Sequence, residues 1–152
     1  MRRTRELYAS DAAPFLAAVY HPVHARFSVT AHRSAGPSAI LKAVDVGATI
    51  EWYRRVGFEV LGVFPDEGEP TWCELSRDGV TLQFLGGDET PWSGPPAFTG
   101  TLYFHPDSVE RLFEEIKAHT EPAWGPEIRD WGTRELGLQD PNGYFLTFTE
   151  PV

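Results

Sequence analysis

The residues of this chain that could act chemically are few, and their spacing limits what they could do. His21 and His24 stand three apart in "HPVH". A metal site there would need both imidazoles on one helical face, and Pro22 between them argues against a helical pair. His105 falls on the strand side of Thr101 and Tyr103. Two readings remain open for it, a ligand contact and a partly exposed strand-end histidine before Pro106. His119 closes a helical pattern, where a cation complements the helix dipole. The single cysteine, Cys73, excludes an intramolecular disulfide and a Cys-based zinc cluster. With no basic neighbour to activate it, Cys73 reads as a buried strand residue in a reducing compartment.

Aromatic rings are the stronger signal. Five tryptophans in 152 residues exceed what a small sheet needs for packing. Trp faces attract cations and flat rings at about 0.5–2 kcal/mol per contact. Trp52 belongs with the core by its helical position. Trp72 and Glu74 share one face of "TWCELS", opposite Cys73 and Leu75, and Trp92 lies in a Gly/Pro-rich stretch. Trp124 and Trp131 flank "GPEIRD". Trp72, Trp92 and Trp131 are expected to line a ligand groove, with Glu74 beside them.

The closing stretch "WGTRELGLQDPNGYFLTFTE" reads as two strands around an Asp140-Pro141-Asn142-Gly143 turn. Tyr144, Leu146 and Phe148 fall on one face, and Phe145, Thr147 and Thr149 on the other, a period of two. The second face is half polar and is expected to look into a cavity or onto solvent. Arg134 and Glu135 read either as a cross-strand ion pair or as polar contacts to a ligand.

These residues sit on a pattern written twice. Strand "AILKAVDV", helix "GATIEWYRRVGF" and strands "FEVLGVF", "PTWCELSR" and "VTLQFLGG" form a first module over 38–87. A linker spans 88–99. Strand "GTLYFHPD", helix "SVERLFEEIKAH" and strands around "GPEIRDW", "TRELGLQ" and "YFLTFTE" form a second over 100–152. Ser108 is placed to cap the second helix, and Val109, Leu112, Phe113 and Ile116 make its apolar stripe. "DGVTLQFL" aligns with "NGYFLTFT", setting Gln83 over Thr147. A module of about 50 residues is marginal alone, so the two must bury apolar faces on each other or on a second chain.

Residues 1–37 differ in kind. Over 1–36, five arginines face only Glu6 and Asp11, a net +3, whereas the remaining residues carry eight basic against twenty acidic groups, a net −12. The segment has the composition of a transit peptide and reads either as a poorly ordered extension or as an added strand or helix. The acidic body disfavours nucleic acid and favours neutral or cationic ligands. No apolar run approaches the roughly 18 residues of a membrane span.

The order and spacing of "VDVGATIEWYRRVGFEV" and "WGTRELGLQDPNGYFLTF" resemble the vicinal oxygen chelate superfamily of glyoxalases, bleomycin-resistance proteins and dioxygenases, over about residues 38–150. The closing Gly-x-Arg-Glu and Asp-Pro-x-Gly pattern is similar to bleomycin-resistance-like members. The resemblance implies an α+β fold of paired βαβββ modules, joined as a homodimer. In the family's metalloenzymes the first and last strands of each module supply His, Gln or Glu ligands. Here those positions hold Gln83 and Thr147, with Ser38 or Ile40 and Thr101 opposite, a set unsuited to a divalent cation. We therefore expect no metal, no cofactor and no catalytic residue. The expected function is cytoplasmic, metal-independent binding of a small aromatic, neutral or cationic compound through Trp72, Glu74, Gln83, Trp92, Thr101, Tyr103, His105, Trp131, Glu135, Phe145 and Thr147. The alternatives are a lyase, isomerase or dioxygenase-like enzyme with an unconventional site, using His105, Glu74 or Glu135 for proton transfer, and a partner subunit whose groove is vestigial.

Overall fold

Asp45 shows how this sequence punctuates itself. Its backbone is extended (φ −139°, ψ 112°), and its carboxylate accepts from Ala48 N at 2.8 Å. That cap starts helix α1 (Val46–Arg55) and ends the preceding strand early, so β1 covers only Ala39–Lys42 instead of running to Val46. Ile50, Tyr53 and Val56 on its inner side are buried, as the helical spacing predicts. Trp52 is a correction: it is half-buried at the rim of the core, its ring 4.9 Å from that of Tyr53.

The computed structural model describes residues 39–87 and 90–152, all within a compact unit spanning Gly36–Val152. The histidine pair His21/His24, Ser38 and the 1–37 extension lie outside the described residues. After α1 come β2 (Glu59–Phe64), β3 (Trp72–Arg77) and β4 (Val80–Leu85). The second module repeats the order with β5 (Thr101–Phe104), α2 (Val109–Ile116), β6 (Trp124–Ile128), β7 (Thr133–Gln139) and β8 (Phe145–Pro151). Each forms a four-stranded sheet, ordered β1-β4-β3-β2 and β5-β8-β7-β6, with the first strand parallel to the last. Asp78 (φ 50°) and Gly79 (φ 76°) both take the left-handed conformation that a two-residue β3–β4 hairpin requires. Ser108 caps α2, accepting from Arg111 N at 3.3 Å.

One face of each sheet carries the buried apolar residues, Cys73, Leu75, Leu82 and Phe84 from β3 and β4 in the first, Phe104, Leu136, Leu138, Leu146 and Phe148 from β5, β7 and β8 in the second. Together with the inner faces of both helices they form a single cluster. Phe58 of the first module meets Phe104 of the second edge-on at 5.4 Å, and Phe104 stacks on Phe148 at 5.1 Å. Burying each such ring contributes about 1.5–3 kcal/mol, which neither half secures alone.

The Asp140–Gly143 turn then fastens one module to the other. Asp140 Oδ1 accepts from Asn142 N (2.9 Å) and Tyr144 N (2.8 Å), while its Oδ2 accepts from the Tyr53 hydroxyl of α1 (3.1 Å). Asn142 accepts from Val44 N (2.9 Å) and donates to Thr49 Oγ1 (3.0 Å). Burial is the main force raising the Asp140 carboxyl above its ordinary value, opposed by the hydrogen bonds it accepts. Burial likewise pushes the Tyr53 and Tyr144 hydroxyls up, and the neighbouring Asp140 charge adds to both.

Candidate functional site

Sheet alternation leaves the opposite faces to polar and aromatic side chains. On the second sheet, register aligns Thr101 with Phe145, Tyr103 with Thr147, Gly137 with Thr147 and Glu135 with Thr149. Thr101, Tyr103, Glu135, Phe145 and Thr147 are thus brought to one face. Thr101 Oγ1 donates to Phe145 O (3.0 Å), which uses its only hydrogen. Thr147 must then donate to Thr101 across the 2.8 Å between their hydroxyls, leaving Thr147 Oγ1 free to accept. Thr147 and Thr149 look onto neither solvent nor an open cavity, because both are buried, which corrects the expectation for that face.

Glu135 organises the edge of this face. A tight turn after β6, in which Arg129 N donates to Thr133 O (2.7 Å) and Gly132 takes φ 83°, folds Arg129 and Trp131 back over the strand. The Glu135 carboxylate, with its side chain only 6% exposed, accepts from Trp131 Nε1 (3.2 Å), Thr133 Oγ1 (3.2 Å) and Arg129 Nε (3.4 Å). Arg129 also pairs with Glu127 at 2.8 Å and lies 5.7 Å from the Trp131 ring centre. Trp131 nevertheless stays 68% exposed. Arg134 points elsewhere, to its cross-strand neighbour Glu150 at 2.9 Å and to Glu110 at 3.5 Å. Trp124 lies flat across Gly137, where any side chain would collide with its indole, and 5.6 Å from the Phe145 ring. Trp124 Nε1 and Thr149 Oγ1 are buried without a hydrogen-bond partner.

On the first sheet, Trp72, Glu74 and Gln83 share the face opposite the core. Trp72 Nε1 donates to Gln83 Oε1 at 3.2 Å. Trp72 is 5% exposed, so its ring is packed rather than presented. Trp92 stands apart from both groups on the linker, 39% exposed, beside a cleft of about 240 Å³ lined by Ile40, Lys42, Pro95, Ala97 and Tyr144. His105 lies just past β5, exposed, and joins none of these clusters. Sequence reasoning missed Lys42, Arg129 and the unpartnered Trp124 indole. The aligned last strands pointed to Gln83 and Thr147 but carried no signal for side chains that fold back from loops.

The donor set does not suit a metal. The paired first- and last-strand positions are Ile40 with Gln83 and Tyr103 with Thr147, which offer an amide, a phenol and a hydroxyl, without carboxylate or imidazole. Among the described residues no three His, Cys, Asp or Glu side chains cluster closely enough to hold an ion. Cys73 is buried, and desolvation pushes its thiol up to about 12, so it is a packing residue and not a nucleophile. No helix among the described residues is long and apolar enough to cross a membrane.

With paired βαβββ modules and this site geometry in place, comparison with known proteins fixes the class. Residues 38–148 match the Glyoxalase/Bleomycin resistance protein/Dioxygenase superfamily, and the chain belongs to that family. A bleomycin resistance protein of Klebsiella pneumoniae is 27% identical over 114 residues, covering 70% of this chain and 84% of the relative. A bleomycin resistance determinant encoded on transposon Tn5 superposes with a TM-score of 0.57 at 25% identity, covering 76% of this chain and 97% of the other. TioX from Micromonospora sp. ML1 (TM-score 0.64, 19% identity, 76% and 97% covered) and a bleomycin-binding protein complexed with bleomycin (0.56, 24%, 77% and 98%) share the fold. The family's description spans both enzymes and binding proteins.

Proposed function

We propose that this protein binds and sequesters a planar aromatic small molecule, neutral or cationic, without a metal and without chemical turnover. The observation that carries the reading is Trp131: a two-thirds exposed indole whose N–H is fixed to a buried carboxylate and one face of which is backed by a guanidinium. A large apolar ring held rigid in water is a binding platform prepared in advance, because little side-chain entropy is lost when a ligand stacks on it. Phe145 and Tyr103 extend the aromatic face, and the half-buried Thr101 is assigned as a polar contact, with the buried Thr147 and Glu135 holding Thr101 and Trp131 in place from behind. On the first module, Glu74 and Gln83 are assigned as ligand contacts, with the packed Trp72 ring steadying Gln83 from behind, and Trp92 on the linker as a contact beside its own cleft. His105 is kept as a contact from the end of β5. The kinship with bleomycin resistance proteins supports sequestration as the mode of action. Affinity alone suffices for that, and no residue of the site is required to move a proton.

The same reading carries a homodimer, because β1, β2, β5 and β6 are all edge strands with open backbone positions. Titration of metal-free bleomycin into the protein, followed by tryptophan fluorescence, tests the binding function. Saturable quenching that is reduced in Trp131→Ala is expected, and unaltered emission at millimolar ligand contradicts it.

A further inference from the structure

Lys42 joins three parts of the molecule that are distant in sequence. Its ammonium donates to the carbonyl oxygens of Trp92 (3.1 Å) and Gly94 (2.6 Å), both on the linker between the modules. Its own carbonyl accepts from the hydroxyl of Tyr144, just before β8 (3.0 Å). Bonds from an ammonium are stronger than neutral ones, and here two of its three donors serve a single bend of the chain. Gly94 takes φ 76°, which lets the linker bring both carbonyls to one point, and Pro95 and Pro96 stiffen the chain just beyond it. The bend brings Trp92, Pro95 and Ala97 to the 240 Å³ cleft, whose lining also includes Ile40 and Tyr144.

We propose that Lys42 is a positioning residue for Trp92. It straps the linker against the outer face of β1, and the position of the strap sets the width of the cleft and hence which planar ligands enter. This inference rests on the reading of Trp92 as a ligand contact. The lysine stem alone would not hold the strap, since a stem packs on apolar surface but does not bind carbonyl groups.

Native-state chymotrypsin cleavage after Trp92 and Phe98, combined with calorimetric titration of metal-free bleomycin, tests both halves of the claim. Lys42→Met keeps the length of the side chain and removes its donors. It should speed linker cleavage by roughly tenfold or more through local opening and weaken the probe's Kd by roughly tenfold. Lys42→Arg, whose fork still reaches two acceptors, should restore both to within about threefold of the wild type. Cleavage of Lys42→Met at the wild-type rate overturns the strap. So does a wild-type linker cut as fast as the free peptide of residues 90–100, a comparison that needs no variant to fold. Faster cleavage with an unchanged Kd overturns the link from strap to cleft. A wild-type protein that ignores the probe defeats the functional reading, and the strap is then decided on cleavage alone.

Discussion

Two carboxylates, Glu135 and Asp140, are buried within five residues of each other and do different work. Glu135 turns its charge toward a loop and holds Trp131, Thr133 and Arg129 in place. Glu135→Ala strands those donors and should lower stability by about 1–3 kcal/mol, read from the urea midpoint. It should also weaken ligand binding by releasing Trp131. Asp140 is committed to the seam between modules. Its carboxyl is raised in the folded state, so across that interval the folded chain binds more protons there than the unfolded chain does. Its contribution to stability is therefore full at low pH and falls as pH rises from the ordinary carboxylate value through the raised one. Urea midpoints for the wild type minus those for Asp140→Asn should decline over that window and level off above it. A difference that grows with pH would mean that the hydrogen bonds to Asp140 outweigh its burial. Trp131→Ala should cost ligand binding about 1 kcal/mol or more while leaving the fold intact.

The strands and helices were legible in the sequence where a local signal decides them. β7 occupies Thr133–Gln139 as its alternation indicated, and Ser108 caps α2 as its position before an apolar stripe implied. β1 came out shorter because Asp45 prefers to cap a helix than to extend a strand, a competition that hydrophobic pattern alone does not resolve. Asp45→Ala should cost about 1 kcal/mol of unfolding free energy by urea titration. The candidate site was legible in part. Alternation set Thr101 beside Tyr103 and Phe145 beside Thr147, since a period of two fixes the face within a strand, and the β5–β8 register joins the two pairs. The partners of Glu135 were hidden, because Arg129 and Trp131 reach it only through a turn that reverses the chain. Asp140 and Asn142 were hidden for a different reason: the residues that make the turn also make the module contact, and a turn signature accounts for them without the second role. Gly137 belongs here too. A side chain at that position displaces Trp124 from the sheet, so Gly137→Ala should alter the near-ultraviolet circular dichroism.

At the scale of the molecule, the two modules share one core and one buried polar seam, so they should unfold together. Circular dichroism and tryptophan fluorescence are expected to trace a single urea transition, and separated transitions would show that the modules are independent. Sedimentation is expected to report a dimer at micromolar concentration, and a monomer would contradict the pairing of edge strands between chains. The charge of the chain sets how salt should act. Attraction of a cation to the acidic body is screened over about 8 Å at physiological ionic strength. Stacking on Trp131, as proposed, would survive salt, so raising it should weaken binding only to a plateau. The central claim is that this protein holds a planar small molecule by affinity alone. Isothermal titration of metal-free bleomycin into the metal-stripped wild-type protein tests it most directly. The account predicts a saturable isotherm with Kd of about 1 µM or tighter and the ligand recovered chemically unchanged. No heat of binding up to about 1 mM ligand, or recovery of a modified ligand, would contradict it.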